Sequence, residues 1–498
     1  MSNREHDDDD EGRAPVLIGV GQVLQRVADP SDGVEPLELM ARALLEAEAD
    51  SGVIGLLAQA DSVRVIRGMW RYGDPARVLA DRFGAKSAET VGTPFGGNYA
   101  QACVSDAARR IVAGDEAIVL IAGGENGRSI AAAGRAGVSL PRSEAPGEPD
   151  RQLAVEADMF HPVERSIGFL PPANHYALFE SAIRASLGES IEAHRDRLAE
   201  LWAGFSRVAQ GNPNAWLREP FTAEDIGHVS EDNPMTATPY PRRMNANSRV
   251  DMGAALILTS LEKARAMGVP EEKIVYLHAG TEANDTLTTS ERWSFIESPS
   301  MRIAGRRVLD LAGLEVKDVD HVDVYSCFPS AVQVAAKEIG LNLTRPLTVT
   351  GGLTFGGGPL NDYVLHSIAR MVEVLRGDPG SKGLVTANGG YLTKHAFGVY
   401  STAPPAAGFR YANCQAEVDA ASPERPLLER YTGPVTVEAF TTVFKDARPH
   451  HGFATCLTPD GSRTWAKIEE EPLLSVMAEQ EICGRMGRIE GEGRLLLD

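Results

Sequence analysis

The chain has 498 residues, of which 43% are hydrophobic and 24% charged, and its formal net charge is −20 at pH 7. That length corresponds to about three domains at roughly 150 residues each, with the composition of a folded chain and not of a disordered one. The acidic balance excludes a surface built to neutralise nucleic-acid phosphates, no run approaches the ~18 consecutive apolar residues of a membrane span, and the dispersed Cys103, Cys327, Cys414, Cys456 and Cys483 suit neither a zinc site nor a disulfide framework.

Residues 1–13, "MSNREHDDDDEGR", lack the cationic start and apolar core of a signal peptide and read as a solvated acidic tail. With reduced thiols as the default, a cytoplasmic protein is expected. "PVLIGVGQVL" is a short β-branched apolar run that predicts a strand, and in "PLELMARALLEAEAD" Leu37, Met40, Ala41, Leu44 and Leu45 share one helical face. "DSVRVIRGM" predicts a strand, "GNYAQACVSDAARRIVAGD" a helix, and "EAIVLIAGG" a buried strand ending in glycines. Residues 127–248 mix helical segments such as "SIEAHRDRLAELWAGFSRVA" with Pro/Gly/Asn-rich connections, which is too long for a loop and predicts a covering layer. "GAALILTSLEKARAMG" returns to strand and helix, so residues 14–126 and 249–272 form one α/β half with a mostly parallel sheet.

Residues 273–404 repeat that grammar. "KIVYLHAG", "HVDVYSCF", "PLTVTGGL" and "KGLVTANGG" read as strands, and "RRVLDLAGLEV", "PSAVQVAAKEIGL" and "NDYVLHSIARMVEVLRGD" as helices. Prolines then thicken into a linker over 405–429. Beyond it, alternation in "PVTVEAFTTVF" and a "PDG" turn predict a small all-β domain over 430–498, an OB-like barrel.

Two tandem α/β halves, a long insertion in the first, an "AGG" after a buried strand and a glycine-rich loop in the second resemble the thiolase superfamily. The nearest branch is the sterol-carrier-protein-type thiolases and the thiolase-like acetyl-CoA acetyltransferases. The resemblance spans about residues 14–404. "AGDEAIVLIAGGENGRS" is similar to the family segment GD-x-x-(I/V)-x-(V/A)-GG-x-E-x-x-S, "NANSRVDMGAALILTS" to its DGAAA-type strand, and "GGLTFGGGP" to GGAIALGHP. The implied fold is α/β and thiolase-like, with the β domain added at the C-terminus.

A thiolase-type reaction carries the acyl group on a Cys thiolate at a helix N-terminus, activates it with a His, moves the α-proton with a second Cys or His, and holds developing charge in oxyanion holes. The resemblance places the nucleophile at Gly97, where no nucleophilic side chain stands; Cys103, further along the same helix, reads as a packing thiol. The family His falls on Gly358, while Gly351, Gly352 and Gly357 keep the loop frame and supply candidate oxyanion N–H groups. The HDCF motif becomes "YSCF", so Cys327 remains with Tyr325 and Ser326 beside it. Cys327 precedes Pro329 at a helix start that favours a thiolate; the alternative is a satisfied core cysteine. In "TANGGYLTKHAFG", Asn388 is a candidate donor and His395 a displaced base or a structural or surface His. His175 in the inserted layer is a minor candidate for substrate contact. Arg242, Arg243 and Arg249 are candidates for the phosphates of CoA, or plain solvated charges.

Two functions of different class follow. One is an acyl-CoA enzyme of thiolase type, related to acetyl-CoA acetyltransferases, in which conventional thiolysis is absent and enolate chemistry through Cys327 remains. The other is a non-catalytic protein that binds a CoA thioester or a partner acyl-CoA enzyme. Neither needs a metal or a cofactor beyond the thioester. The resemblance also implies dimerisation through the strand before Gly97. Pro94 and the glycines of "AETVGTPFGG" predict that this dimer is weakened or absent.

Overall fold

A computed structural model describes residues 12–498; the acidic tail read at the N-terminus lies, through residue 11, outside the described residues. Strand β1 (Pro15–Leu24) is buried on both faces over its first seven residues, which is why it reads as a continuous apolar run. Helix α1 (Pro36–Ser51), β2 (Ser62–Val65), β3 (Glu89–Gly92), α2 (Asn98–Ala113) and β4 (Ile118–Asn126) follow. The insertion carries β5 (Arg151–Gln152), α3 (Pro172–Leu187), α4 (Ile191–Gly211), β6 (Met235–Ala237) and β7 (Tyr240–Pro241), after which β8 (Asp251–Ser260) closes the first half. The second half holds β9 (Val275–Asn284), α5 (Pro299–Ala312), β10 (His321–Asp323), α6 (Pro329–Ile339), α7 (Tyr363–Gly377), β11 (Lys382–Gly389) and β12 (Lys394–Ser401).

These strands form one sheet in the order β10-β11-β12-β9-β1-β8-β4-β2-β3-β5. Numbered in chain order within each half, apart from β5 to β7, the first half reads 1-5-4-2-3 outward from β1, and the second reads 1-5-4-2 outward from β9 once a third place is kept for the unpaired "PLTVTGGL" between β10 and β11. The tandem repeat inferred from pattern alone is thus visible as one strand order used twice. Among the described residues the ladder between the two half-sheets consists of two residue pairs, Val16↔Tyr276 and Leu17↔Val275. Helices α2 and α7 each touch strands of both halves, so they lie between the half-sheets, while α1 covers the outer face of β1, β4 and β8 and α5 that of β9 and β12.

Three expectations need correction. The sheet is mixed and not mostly parallel, because the last strand of each half, β8 or β12, runs antiparallel to its neighbours. "PLTVTGGL" does not join a ladder, although it stands where a third strand of the second half belongs. Leu347 O accepts from Val324 N at 2.8 Å, but the N–H groups of Val349 and Thr350 turn to the Asp323 carboxylate at 2.9 and 3.2 Å. A side-chain acceptor has replaced the neighbouring strand. Finally, the stretch read as a linker contains β13 (Arg410–Asn413), which pairs in parallel with β9, and α8 (Gln415–Ala421).

The C-terminal region comprises β14 (Gly433–Lys445), β15 (Arg448–Leu457), β16 (Arg463–Ile468), α9 (Glu471–Glu479), β17 (Met486–Glu490) and β18 (Arg494–Leu497). Its strands lie in the order β16-β15-β14-β17-β18, with α9 between the third and fourth and with β16 touching β18 without pairing. A five-stranded, partly open antiparallel barrel of this kind matches the OB-like expectation. Val435, Val437, Phe440, Cys456, Ile468 and Met477 belong to its core. The insertion reaches into this sheet through Val443↔Ala237 and the bond from Thr238 N to Thr442 O at 2.9 Å.

A short strand of the insertion also decides the outer edge of the first half. Strand β5 pairs with β3 through Val91↔Arg151 and Gly92↔Gln152, and Leu153 N donates to Gly92 O at 2.9 Å. Asp150 clamps the join: its carboxylate accepts from Thr90 N at 2.9 Å and from Arg77 Nη2 at 2.8 Å.

Candidate active site

Gly97 is the N-cap of α2, with φ −67° and ψ −18°, a conformation open to any residue. Space, not backbone geometry, therefore makes this position a glycine. A Cβ here would stand 2.6 Å from the carbonyl oxygen of Asn388, 2.8 Å from Tyr325 Oη and 3.0 Å from Tyr325 Cε2. The Tyr325 ring thus fills the room in front of the helix N-terminus. It is held by the bond from Tyr325 N to Thr386 Oγ1 at 2.9 Å and by edge-to-face contact with Tyr363 at 5.4 Å.

Cys327 lies two residues further on, just before Pro329 opens α6. Asn388 Nδ2 donates to Tyr176 Oη at 2.9 Å and reaches Cys327 Sγ at 3.9 Å, while the Tyr176 ring stacks on Phe328 at 4.6 Å. Burial pushes the Cys327 thiol up to about 12, outweighing the hydrogen bonds that act in the opposite direction. The thiolate expected from a helix start is not stabilised here, because desolvation of the sulfur outweighs the donors from Tyr176, Asn388 and the backbone.

The glycine loop completes the cluster. Gly351, Gly352 and Gly357 have φ of 96°, 72° and 112°, the left-handed side that glycine tolerates. A Cβ at Gly351 would meet Ala209 Cβ of α4 at 2.4 Å, and one at Gly357 would meet Met252 Sδ at 2.5 Å. The N–H groups of Gly351 and Gly352 donate to Thr348 Oγ1 at 3.0 and 3.1 Å, and Gly352 N also reaches Thr350 Oγ1 at 3.0 Å. These two donors, expected to form an oxyanion hole, are taken up by their own threonines. Gly358 N donates to Asn247 O at 3.0 Å, and a Cβ there would sit 3.1 Å from Leu353 O and 3.2 Å from Asn247 O.

One residue missed in the sequence organises this loop. Asp323 Oδ2 accepts from Thr348 Oγ1 at 2.9 Å and from the backbone of Val349 and Thr350, while Oδ1 accepts from Tyr363 Oη at 2.8 Å. Burial raises its carboxyl above the usual range despite these donors. The available signal was a lone acid inside the apolar run "HVDVY".

His395 lies on β12 directly opposite Asn388 in the ladder, buried, with Nε2 3.6 Å from Asp285 Oδ2. It is no surface histidine, and neither ring nitrogen makes a hydrogen bond among the described residues. His175 is wholly internal: Nδ1 accepts from Thr289 Oγ1 at 2.8 Å, Nε2 donates to Phe169 O at 3.1 Å, and the ring stacks on Tyr391 at 3.7 Å. Burial pushes its pKa down to about 3, so it is a neutral packing residue and not a substrate contact. Cys103 is buried in α2. Of the candidate phosphate ligands, Arg242 is tied to Asp232 O, Arg243 bonds Asp225 O at 2.8 Å and stacks on Phe221, and Arg249 is exposed beside Asn247.

Two half-sheets of like strand order around α2 and α7, with Tyr325 set before the start of α2 and the glycine loop packed on the adjoining Ser326, define a thiolase-type α/β protein. Residues 413–494 match the additional C-terminal domain of thiolase-like protein type 1. The crystal structure of a monomeric SCP2-thiolase-like protein type 1 from Mycobacterium smegmatis is similar over 98% of this chain and 99% of its own, with 33% identity and a TM-score of 0.83. An acetyl-CoA acetyltransferase of Methanocaldococcus jannaschii is 30% identical over 26% of this chain, and one of Methanothermobacter thermautotrophicus 26% identical over 42%. The matches span only 31% and 57% of those two relatives. The chain belongs to the thiolase-like proteins of type 1.

Proposed function

We propose that this protein binds a CoA thioester on a thiolase frame without thiolysis through an acylated cysteine, and that it works as a monomer in the cytoplasm. The observation that carries the reading is the space at Gly97, where the Tyr325 ring and the Asn388 carbonyl stand within 3.0 Å of any Cβ. Removing a nucleophile in a covalent-catalysis enzyme costs about a million-fold in turnover, and here the room for it is gone as well. Enolate chemistry through Cys327 is the weaker alternative, since a general base works best with a pKa near the operating pH and this thiol is pushed to about 12. The similarity to acetyl-CoA acetyltransferases supports the ligand class. No metal or further cofactor belongs to this reading, and neither nucleic acid nor a membrane is a partner.

The monomer is supported by the edge of β3. The resemblance assigns this strand to the dimer contact, yet β5 of the same chain already pairs with it. The reason differs from the expected one, in which Pro94 and the glycines weakened the strand. A partner acyl-CoA enzyme remains the alternative occupant of the frame.

The test is incubation of acetoacetyl-CoA and free CoA with a high concentration of the protein, with the CoA species separated by chromatography, for the native chain and Cys327→Ala. No consumption by either, together with calorimetric binding of acetoacetyl-CoA, is the expected outcome. Consumption that disappears in Cys327→Ala would overturn the reading.

A further inference from the structure

Outside the C-terminal ends of the parallel strands β2 and β3 lies a cleft of about 450 Å³. Ligands of α/β sheets bind outside the carboxyl ends of strands, and small-molecule sites commonly fall between about 300 and 1,000 Å³. The floor is apolar, formed by Val65, Val91, Ala76 and Pro94, and the wall opposite includes Pro149 and Val155. That wall is the same segment that covers the β3 edge, so the cleft exists because the chain itself occupies the edge. Val155 is 88% exposed at the rim, an apolar side chain left facing solvent.

One cation stands in this cleft. The Arg67 guanidinium stacks on the Trp70 ring at 5.4 Å, and among the described residues it has no ion-pair partner within 4.0 Å, although its charge acts on the buried Glu125 carboxyl nearby. Both acids that line the cleft are engaged with protein donors. Asp74 accepts from Arg77 N and Thr90 Oγ1, each at 3.0 Å, and Glu156 accepts from Phe95 N at 2.9 Å. The Arg67 backbone is braced on both sides, with its N–H on Thr93 Oγ1 at 3.0 Å and its carbonyl accepting from Asn361 Nδ2 at 2.6 Å. The backbone that carries the cation is therefore fixed before any ligand arrives, and the guanidinium rests on the Trp70 ring, which lowers part of the ordering cost of binding.

We propose that this cleft binds an apolar monocarboxylate, its carboxylate on Arg67 and its hydrocarbon body along Val65, Pro94, Pro149 and Val155. A guanidinium is a planar fork that matches a carboxylate through two parallel N–H···O bonds. A single cation with two acids in the same cleft disfavours a dianion such as a phosphate monoester, and the apolar floor disfavours a small hydrophilic anion. The site is separate from the Gly97 and Tyr325 cluster and does not depend on the acyl-CoA reading.

The experiment is calorimetric titration of the full chain with octanoate, and with octanol and octyl phosphate as comparisons. Octanoate is expected to bind saturably, one per chain, with octanol and octyl phosphate at least about tenfold weaker. Arg67→Gln is expected to weaken octanoate about tenfold. Val155→Glu, at an exposed rim position, is expected to weaken it comparably by placing an acid beside the carboxylate's entry. The Val155 variant decides the matter should Arg67→Gln fail to fold. Absence of saturable octanoate binding, unchanged affinity in the variants, or octyl phosphate binding as well as octanoate would each overturn the proposal.

Discussion

Replacing Gly97 with alanine tests whether the space before α2 is closed. The added Cβ would stand 2.6 Å from a backbone carbonyl and 2.8 and 3.0 Å from the Tyr325 ring, and contacts under 3.0 Å force something to move. The carbonyl belongs to β11, which at Asn388 is laddered to His395 of β12, and Tyr325 is wedged against Tyr363, so neither gives cheaply. Overpacking of this kind costs about 1–3 kcal/mol. At about 2–4 °C per kcal/mol for a cooperative unit of 150–250 residues, calorimetry should show the main transition several degrees lower. Gly97 is also an N-cap, where alanine is itself disfavoured, so a double-mutant cycle with Tyr325→Leu is needed. Steric conflict predicts that alanine costs less in the Tyr325→Leu background, with a coupling of about 0.5–3 kcal/mol, whereas a capping effect gives none. An unchanged or raised midpoint in Gly97→Ala, or zero coupling, would refute the reasoning. By the same argument Gly97→Cys brings no thiolysis, since its sulfur has no room and Gly358 supplies no imidazole.

Burial raises the thiols of Cys103 to about 11 and of Cys327 and Cys456 to about 12. A raised pKa means the fold retains protons that the unfolded chain releases above about 8.5, so stability is complete below that pH and falls as pH rises towards 12. Each such thiol removes up to about 1.4 kcal/mol per pH unit in that window, and thermal midpoints at pH 8, 9 and 10 should fall progressively; a flat profile would contradict the burial. Arg463, fully buried, holds the C-terminal region to the second half, bonding Glu438 at 2.7 Å through both Nε and Nη2 and donating from Nη1 to Ser290 O at 2.9 Å. Arg463→Ala leaves Glu438 with only the longer Arg425 pair at 3.8 Å and should cost up to about 3–5 kcal/mol, read as faster proteolytic cutting within residues 422–430. Sedimentation at low micromolar concentration should give a monomer, and a stable dimer would mean that β5 does not protect the β3 edge.

The sequence carried the frame well. Strand and helix alternated in a legible order because half-buried and buried elements leave a local imprint of apolar spacing, and β1 and α1 follow their apolar runs closely. It also placed the glycine loop, since left-handed backbone at Gly351, Gly352 and Gly357 demands that residue type. What it left out were contacts between segments far apart in the chain. Tyr325 reads as a mere substitution in a motif until packing sets it against Gly97. The lone acid Asp323 gives no hint that it replaces a strand, and two residues of β5 are too short for any periodicity to reveal that they seal an edge. Cys327 shows the limit most plainly: the helix start that favours a thiolate is written in Pro329, but the burial that overrides it is supplied by Tyr176, Phe328 and Asn388, which only the tertiary structure brings together.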